Sequence, residues 1–211
     1  MEITLNDSSL LEYSTACLVV GVLEDAPLTG PAAEVDTASG GRLTQMIKNG
    51  DIDPDRNQIT LIHGLPGVKA ERILVVGGGQ ADRFDRVRYV NMCLAAGKYL
   101  RQHAVTEAHV CLAEIEVENL DADWRLTQAV FAIDHGNYLY VATKPLKHDT
   151  PRPLKQASFQ GGPDRQAALD RGIALGIGSR KARELGDLPP NICTPTYLAQ
   201  ECRSIAKNYA N

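Results

Sequence analysis

Arg72-Ile73-Leu74-Val75-Val76-Gly77-Gly78-Gly79-Gln80 joins an apolar run to three consecutive glycines. The side chains of residues 73–76 are all aliphatic, without polar alternation, and residues 72–77 are therefore predicted to form a strand that is buried on both faces. We interpret the glycines as a tight turn from the end of this strand into a helix that begins near Asp85. A buried strand that leads into a helix indicates an α/β protein.

Strands and helices are predicted to alternate on both sides of this segment. Runs of β-branched and aliphatic residues predict five more strands, at residues 3–5, 16–22, 58–63, 109–113 and 154–159. Apolar residues at helical spacing predict helices at residues 42–48, 85–103, 121–140 and 164–185. The expected fold is α/β, with a largely buried sheet between helices. Because no helix separates the first two strands, we expect the sheet to be mixed.

The composition is that of an ordinary soluble globular protein. The chain has 211 residues, of which 44% are hydrophobic and 23% are charged. At this length hydrophobic burial can stabilise the fold without disulfides or a structural metal. The formal net charge of -4 disfavours generic binding to phosphate backbones. Arg83, Arg86 and Arg88, together with Lys98 and Arg101, could still form a basic face on a helix, although surface helices commonly carry such charges for solvation.

The cysteines and the N-terminus indicate the compartment. Five widely spaced cysteines without a C-x-x-C pair argue against both a disulfide framework and a zinc knuckle. The N-terminus carries Glu2 and Asp7 where a signal peptide has basic residues, and its apolar run at residues 16–23 is too short to span a bilayer. We therefore expect a cytoplasmic protein without a membrane partner.

No motif for catalysis, phosphate binding or metal binding is complete. The glycine run reaches Asp82 where a dinucleotide fingerprint needs its last glycine, and no Lys-Ser or Lys-Thr pair follows. Asp51, Asp53 and Asp55 lack the later Gly and Glu of a calcium loop. The histidines lack H-E-x-x-H spacing and the serines lack a G-x-S-x-G elbow; the residues weighed were His63, His103, His109, His135, His148, Ser8, Ser9, Ser14 and Ser158. We assign no catalytic, cofactor-binding or metal-binding residue.

The last part of the chain predicts a separate helix. Pro189 and Pro190 cannot continue the preceding helix, and Thr194-Pro195 is typical of a helix N-terminus. The new helix carries one apolar stripe, formed by Leu198, Cys202, Ile205 and Tyr209. The stripe needs a surface to pack against. Either the chain is part of a longer protein or its last helix folds back on the same domain, and the residues alone support the two equally.

Residues 182–199, ARELGDLPPNICTPTYLA, closely resemble the linker of bacterial leucyl aminopeptidases. The pattern there is A-R-[DE]-L-x-N-x-P-[PS]-N-x-x-T-P-x-x-L-A, and it joins an N-terminal domain to the catalytic one. Gly186 and Asp187 depart from the usual family residues without changing the spacing. Weaker similarities bring the resemblance to essentially the whole chain, and they lie at Val35-Asp36, Gly40-Gly41, residues 72–77, Tyr138 and Lys144-Pro145.

The resemblance implies a macro-like three-layer domain at residues 1–180, with a mixed central sheet flanked by helices. A linker and first helix at residues 181–211 would then lead into a catalytic domain that this chain lacks. In that family two zinc or manganese ions sit among a Lys, several Asp and a Glu, partly within N-T-D-A-E-G-R, and the enzyme is a hexamer. This sequence has no such stretch, so no metal-binding residue is carried over.

The expected role is that of a non-catalytic domain that contributes to assembly and positions the catalytic domain. The whole enzyme would remove N-terminal amino acids, preferably leucine, from peptides, and this chain alone would not. Two alternatives stay open. Some bacterial relatives of this kind also act on DNA as architectural regulators, although the acidic charge disfavours this. A macro-like module could also bind a nucleotide derivative at residues 77–79, but fold analogy alone does not carry function.

Overall fold

Six strands form a single sheet in the computed structural model, which describes residues 1–103, 105–143 and 153–208. The strands are β1 (Glu2–Asn6), β2 (Leu18–Glu24), β3 (Ile59–His63), β4 (Arg72–Gln80), β5 (Glu107–Val110) and β6 (Gln156–Gln160). Their order across the sheet is β1-β6-β5-β2-β4-β3. All neighbouring strands are parallel except β3, which pairs antiparallel with β4.

The prediction of a mixed α/β sheet is confirmed, but the reason given for it was wrong. That reason was the absence of a helix between the first two strands, and these strands are not the source of the mixed direction. In the structure β1 lies at one edge and pairs in parallel with β6. β2 lies in the centre between β5 and β4. The sheet is mixed because β3, at the other edge, reverses direction.

Helices cover both faces of the sheet. They are α1 (Gly30–Ala38), α2 (Arg42–Asn49), α3 (Arg86–Gln102), α4 (Ala122–Asn137), α5 (Gln166–Asp187) and α6 (Pro195–Asn208). Buried residues of α3, α4 and α5 form one apolar cluster with one face, and those of α1 and α2 form a second cluster with the other. The expected three-layer arrangement is confirmed, whereas α1 was not predicted.

The strand sequences explain which part of the sheet is covered on both faces. In β4, Leu74 and Val76 join the cluster with α3 and α4, while Ile73 and Val75 join the cluster with α1 and α2. Its apolar run is therefore continuous. The edge strand β1 alternates instead, since Ile3 and Leu5 pack on the first cluster while Glu2 and Thr4 are exposed. Alternation of this kind is typical of a strand with one face in water.

The glycines of β4 continue the strand instead of turning it. β4 extends to Gln80, and α3 begins only after a short 3-10 helix, with Asp85 accepting hydrogen bonds from the backbone N–H groups of Val87 and Arg88. A Cβ on Gly77 would lie 2.1 Å from the carbonyl oxygen of Asp55. The predicted tight turn at residues 77–79 is thus wrong, and the absent side chains make room for the loop before β3.

Two other predicted boundaries also need correction. The strand predicted at residues 109–113 ends at Val110, and Leu112–Glu114 form a 3-10 helix. The helix predicted to reach Tyr140 ends at Asn137, while its start is as predicted, with Asp121 as the N-cap that accepts a hydrogen bond from Trp124 N. The boundary proposed at residue 180 falls inside α5, which continues to Asp187, and the division into domains stays a prediction.

Candidate functional site

The second half of α5, the following linker and α6 form a surface that the rest of the described residues does not bury. We call residues 177–208 the arm. The buried residues of α5 are Ala168, Leu169, Gly172 and Gly176, all in its first half. From residue 177 to residue 208 no residue is buried. A helix of 22 residues spans about 33 Å, so roughly half of α5 extends past its packed base.

Charged and aromatic groups attach the base of the arm to α4. Arg180 forms an ion pair with Asp134, whose side chain is only 4% exposed. The guanidinium of Arg183 lies 4.0 Å from the ring centroid of Tyr138. The hydroxyl of Tyr138 donates a 2.9 Å hydrogen bond to Asp187. Burial and this carboxylate together raise the pKa of Tyr138 to about 12, so the tyrosine stays a neutral donor at physiological pH.

The last helix of the arm begins as predicted and leaves its apolar stripe exposed. α6 starts at Pro195, and the Thr194 hydroxyl oxygen accepts a hydrogen bond from Tyr197 N at 3.3 Å. Leu198 is 40% exposed and Ile205 is 42% exposed, and Cys202 is also exposed. Tyr209, the fourth member of the predicted stripe, lies outside the described residues. Within the described part of the chain, α6 does not bury its stripe against the domain.

An apolar cleft marks the place where α6 leaves α5. The cleft has a volume of about 210 Å³. Its apolar lining comes from the segment after α4, the last turns of α5 and the first turn of α6, and includes Leu139, Val141, Leu185, Leu188 and Tyr197. Lys181 on α5 and Glu201 on α6 form an ion pair across the two helices. The arm therefore combines exposed apolar side chains with a partly formed helix pair.

The structure brings together one pair of residues that sequence reasoning had kept apart. The Ser158 hydroxyl lies 2.8 Å from His109 Nδ1, and Gln160 Oε1 lies 2.9 Å from Nε2. The parallel register of β5 and β6 causes this, because it sets His109 beside Ser158. His109 is 1% exposed, and burial lowers its pKa. A hydroxyl and an imidazole at this distance resemble a nucleophile and its base, but a substrate cannot reach them, so they stabilise the sheet.

The other histidines and the aspartates that were weighed as site residues do not lie together in one site. His135 contacts Ser179 on α5, and His103 stacks on Tyr99 of its own helix. Asp53 accepts a hydrogen bond from the backbone of Asp55 within an exposed acidic turn. His148 lies outside the described residues, as does the Lys144-Pro145 pair of the resemblance. Within residues 1–103, 105–143 and 153–208, no group of three or more His, Cys, Asp or Glu side chains is arranged to hold a metal ion.

Comparison with known proteins identifies the family to which this architecture belongs. A model of the N-terminal domain of the cytosol aminopeptidase family matches residues 19–145. A probable cytosol aminopeptidase of Stenotrophomonas maltophilia is 42% identical over 200 residues, which is 95% of this chain and 40% of that protein. The chain belongs to the cytosol aminopeptidase family. It spans about 40% of the length of the curated relatives that it matches.

Solved structures extend the comparison of the fold. A mutant tomato leucine aminopeptidase superposes with a TM-score of 0.74 at 21% identity, over 100% of this chain and 43% of the tomato chain. The macrodomain of Mycobacterium tuberculosis DarG superposes with a TM-score of 0.54 at 13% identity, over 76% of this chain and 98% of that domain. The expected macro-like α/β fold and the resemblance to leucyl aminopeptidases are both confirmed.

The glycine run at residues 77–79, which was weighed as a nucleotide site, makes close contacts with the rest of the fold. Gly77 N donates to Gln58 O at 2.8 Å, and Gly79 N donates to Pro54 O at 2.9 Å. A Cβ on Gly78 would lie 2.5 Å from Leu23 and 2.7 Å from Phe84. The amides of Gly77 and Gly79 are therefore used within the fold, and the space beside Gly78 is filled, which disfavours a nucleotide site at residues 77–79.

The arginines near the start of α3 do not form a purely basic face. A pocket of about 720 Å³ is lined by Arg83, Arg86 and Arg88. The same pocket is lined by four acidic residues, which are Asp82, Asp85, Glu116 and Glu118. Carboxylates of this number oppose a phosphate backbone, so the pocket does not favour the nucleic-acid alternative. Among the described residues no helix is both long and apolar enough to cross a membrane.

Proposed function

We propose that this chain acts as the non-catalytic N-terminal domain of a metal-dependent leucyl aminopeptidase, where it contributes to assembly and positions the catalytic domain. The observation that carries the proposal is the family-model match to residues 19–145 in a chain that spans about 40% of its relatives. Relatives named as aminopeptidases thus have a further part that this chain does not match.

The arm supports the positioning role. Seven large apolar side chains are strongly exposed among the described residues, and four of them lie in the arm, which are Ile177, Ile192, Leu198 and Ile205. Exposed apolar residues scattered singly are normal, whereas a concentration of them indicates an interaction site. The body of the domain has its own core, so it does not need a partner to bury its sheet. The arm is the part of the chain whose exposed apolar side chains need a partner surface.

Several finer features belong to the same proposal. The whole enzyme would bind two divalent ions, manganese or zinc, in its catalytic domain, where they activate a bridging water and polarise the scissile carbonyl. It would assemble as a hexamer in the cytoplasm. The domain would occupy residues 1–180, and residues 181–211 would form the linker and the first helix towards the catalytic domain. These features come from the family resemblance stated for residues 182–199.

Hydrolysis of leucine-p-nitroanilide with added manganese or zinc tests the proposal. Two proteins are compared: this chain, and an extended protein in which the chain is followed by the remaining part found in its relatives. We expect metal-dependent turnover by the extended protein and none by the 211 residues. Turnover by the shorter chain would overturn the assignment of a non-catalytic domain.

A deletion tests whether this domain positions the catalytic domain or is merely attached to it. A version of the extended protein that begins at residue 181 lacks the domain but keeps the linker and the first helix. We expect it to lose most of its kcat/KM and to change its assembly state, measured by sedimentation velocity. Unchanged activity and an unchanged number of subunits in the assembly would contradict a role in positioning and assembly, even if the extended protein is an active aminopeptidase.

A further inference from the structure

We infer that β3 is the edge through which two copies of this chain pair, so that their sheets join into one across a two-fold axis. The strand lies at the end of the sheet and has β4 as its neighbour. The inference deepens the assembly role in the proposed function by naming a contact between copies, but its test needs only this chain.

Two hydrogen bonds show which backbone groups of β3 are used within its own sheet. Gly77 N donates to Gln58 O at 2.8 Å before the strand, and Gly64 N donates to Glu71 O at 3.2 Å after it. In an antiparallel pair, residues that bond to one neighbour alternate with residues whose N–H and C=O groups face the other side. The even-numbered positions of residues 58–64 therefore face β4. The outward-facing backbone groups belong to Ile59, Leu61 and His63.

The three outward positions match a second copy of the same strand. Among the residues that the structure describes, no strand lies beside them. In an antiparallel pair centred on Leu61, the N–H of Leu61 in each copy donates to the Leu61 carbonyl of the other. Ile59 exchanges the same two bonds with the partner's His63. Such a contact is isologous, because one surface meets itself across a two-fold axis, and it closes at two copies.

The side chains of the paired strands are also compatible. A two-fold axis perpendicular to the sheet keeps equivalent faces of the two copies on the same side. Leu61, which is half-buried beside the first apolar cluster, would meet the same residue of the other copy. On the opposite face Thr60 would meet the partner's Ile62. Apolar and β-branched pairs across strands stabilise a sheet, so the pairing covers apolar surface and satisfies the backbone together.

Charge distinguishes this edge from the one at β1. Natural sheets protect free edges with charged side chains that prevent pairing with another chain. β1 begins with the exposed Glu2 and is followed by Asp7, so two antiparallel copies of β1 would bring like charges together at both ends. Residues 58–62, QITLI, carry no charge. Two identical strands therefore meet at β3 without a like-charge pair, which fits a second copy as the occupant.

The pairing is expected to be weak in the isolated chain. β3 has five residues, and contact along so short a strand buries less than the roughly 1,200–2,000 Å² of a stable complex. We expect a dissociation constant on the order of 10–100 µM. In an assembly that already holds the copies together, the same contact would form at a higher effective concentration.

Sedimentation velocity of this chain between about 5 and 500 µM tests the pairing, because the body of the domain has its own core. We expect a monomer at the lowest concentration and mainly a dimer at the highest. Leu61→Pro should raise the dissociation constant at least about tenfold, because proline lacks the outward N–H and leaves the bonds to β4 in place.

Leu5→Pro is the matched control at the other edge of the sheet. Leu5 is also half-buried beside the first cluster. Its backbone groups face outward, because Glu2 N donates inward to Lys155 O and positions alternate along the strand. This variant should leave dimer formation unchanged. Circular dichroism checks that both proline variants are folded.

A cross-link measures the register and does not depend on a proline variant. In a hydrogen-bonded antiparallel pair the Cα atoms are about 5.5 Å apart, within the roughly 4.4–6.8 Å that a disulfide spans. The background carries Cys193→Ser and Cys202→Ser, because the other three cysteines are buried. In it, Leu61→Cys should form a disulfide-linked dimer under mild oxidation, and Leu5→Cys should stay monomeric.

Three outcomes would overturn the pairing. They are a monomer at every concentration, a dimer that Leu61→Pro and Leu5→Pro weaken equally, and no cross-link through Leu61→Cys. Leucine-p-nitroanilide turnover by the extended protein is measured separately. Turnover without pairing would reject the β3 contact and leave the proposed function intact, whereas pairing without turnover would keep the contact and reject the proposed function.

Discussion

The body of the domain and the arm are built from similar helices but use them differently. In the body, α3 and α4 approach so closely that a Cβ on Gly97 would lie 2.6 Å from the carbonyl oxygen of Ile133. In the arm, no residue from 177 to 208 is buried. α5 takes part in both regions. The difference shows that an amphipathic pattern predicts where a helix needs a partner, but not whether its own chain supplies that partner.

The sharpest test of this difference is the same substitution made once in each region. Gly97→Ala in the body should cost about 2–3 kcal/mol, because the added methyl meets the backbone of α4, which cannot rotate away. Gly178→Ala in the arm should instead stabilise the chain by about 0.5–1 kcal/mol, since nothing lies within 4 Å of that Cβ and alanine favours a helix. Urea unfolding followed by circular dichroism measures both.

Opposite signs for the two alanine variants would establish that tight packing ends before residue 178. A loss of stability in both would mean that Gly178 is also in close contact, which would place part of the arm against the body. A gain in both would mean that α3 and α4 can separate at little cost.

The next largest effect on stability is expected at the ion pair of Arg180 with Asp134, which joins the arm to the body. Arg180→Met should lower the free energy of unfolding by about 2 kcal/mol, because it leaves the buried carboxylate of Asp134 without its cation. The cost stays below the range for a fully buried pair, since Arg180 is 37% exposed and water can approach from its side. The double variant Arg180→Met with Asp134→Asn should recover part of the loss. Equal stability of the single and double variants would show that the ion pair does not anchor the arm.

The two titrating histidines sharpen the comparison further. Burial lowers the pKa of His109 in the body. Burial also lowers the pKa of His135 at the junction, assisted by Arg183 and Lys98. In the unfolded chain a histidine has an ordinary pKa of about 6.5. As the pH falls, the unfolded chain therefore binds these protons at a higher pH than the folded chain does. The free energy of unfolding should therefore fall as the pH drops below about 6.5, and level off below the lowered folded-state values.

Urea unfolding between pH 5 and 8 measures this dependence, and variants assign it. His109→Gln should remove part of the slope and leave the contribution of His135. Added salt should raise the pKa of His135, observed by NMR, because it screens Arg183 and Lys98. Added salt should change the pKa of His109 less, since burial is the main cause of its lowered pKa. Stability that stays constant down to pH 5 would contradict both assignments.

The central strand and the starts of two helices could be predicted from local sequence. The run at residues 73–76 and the helix starts near Asp85 and Asp121 appear in the structure where the pattern indicates. Helix α1 was missed because it begins with Gly30-Pro31 and buries few apolar side chains. The position of β1 was missed because its partner, β6, is about 150 residues away along the chain, and no local pattern encodes that pairing.

The candidate surface was only partly predictable for the same reason. Periodicity identified the stripe of Leu198, Cys202 and Ile205, which depends on α6 alone. It did not identify the ion pair of Lys181 with Glu201, because that requires the arrangement of two helices. The Arg180 and Asp134 pair joins residues on two helices, and neither has a sequence signature.

The smallest effect concerns the ion pair that holds α6 on α5. Glu201→Gln should lower the free energy of unfolding of this chain by only about 0.2–1 kcal/mol, because both side chains are partly exposed and water screens them. The amides of α6 should nevertheless exchange faster, while those of α3 and α4 do not change, since the pair connects α6 to the rest and contributes little to the core. Arg203→Gln, on the same helix without an ion pair among the described residues, is the control and should leave exchange unaltered. If Glu201→Gln leaves the exchange of α6 unchanged, other contacts hold the helix in place, and the arm is more firmly joined to the body than its exposure indicates.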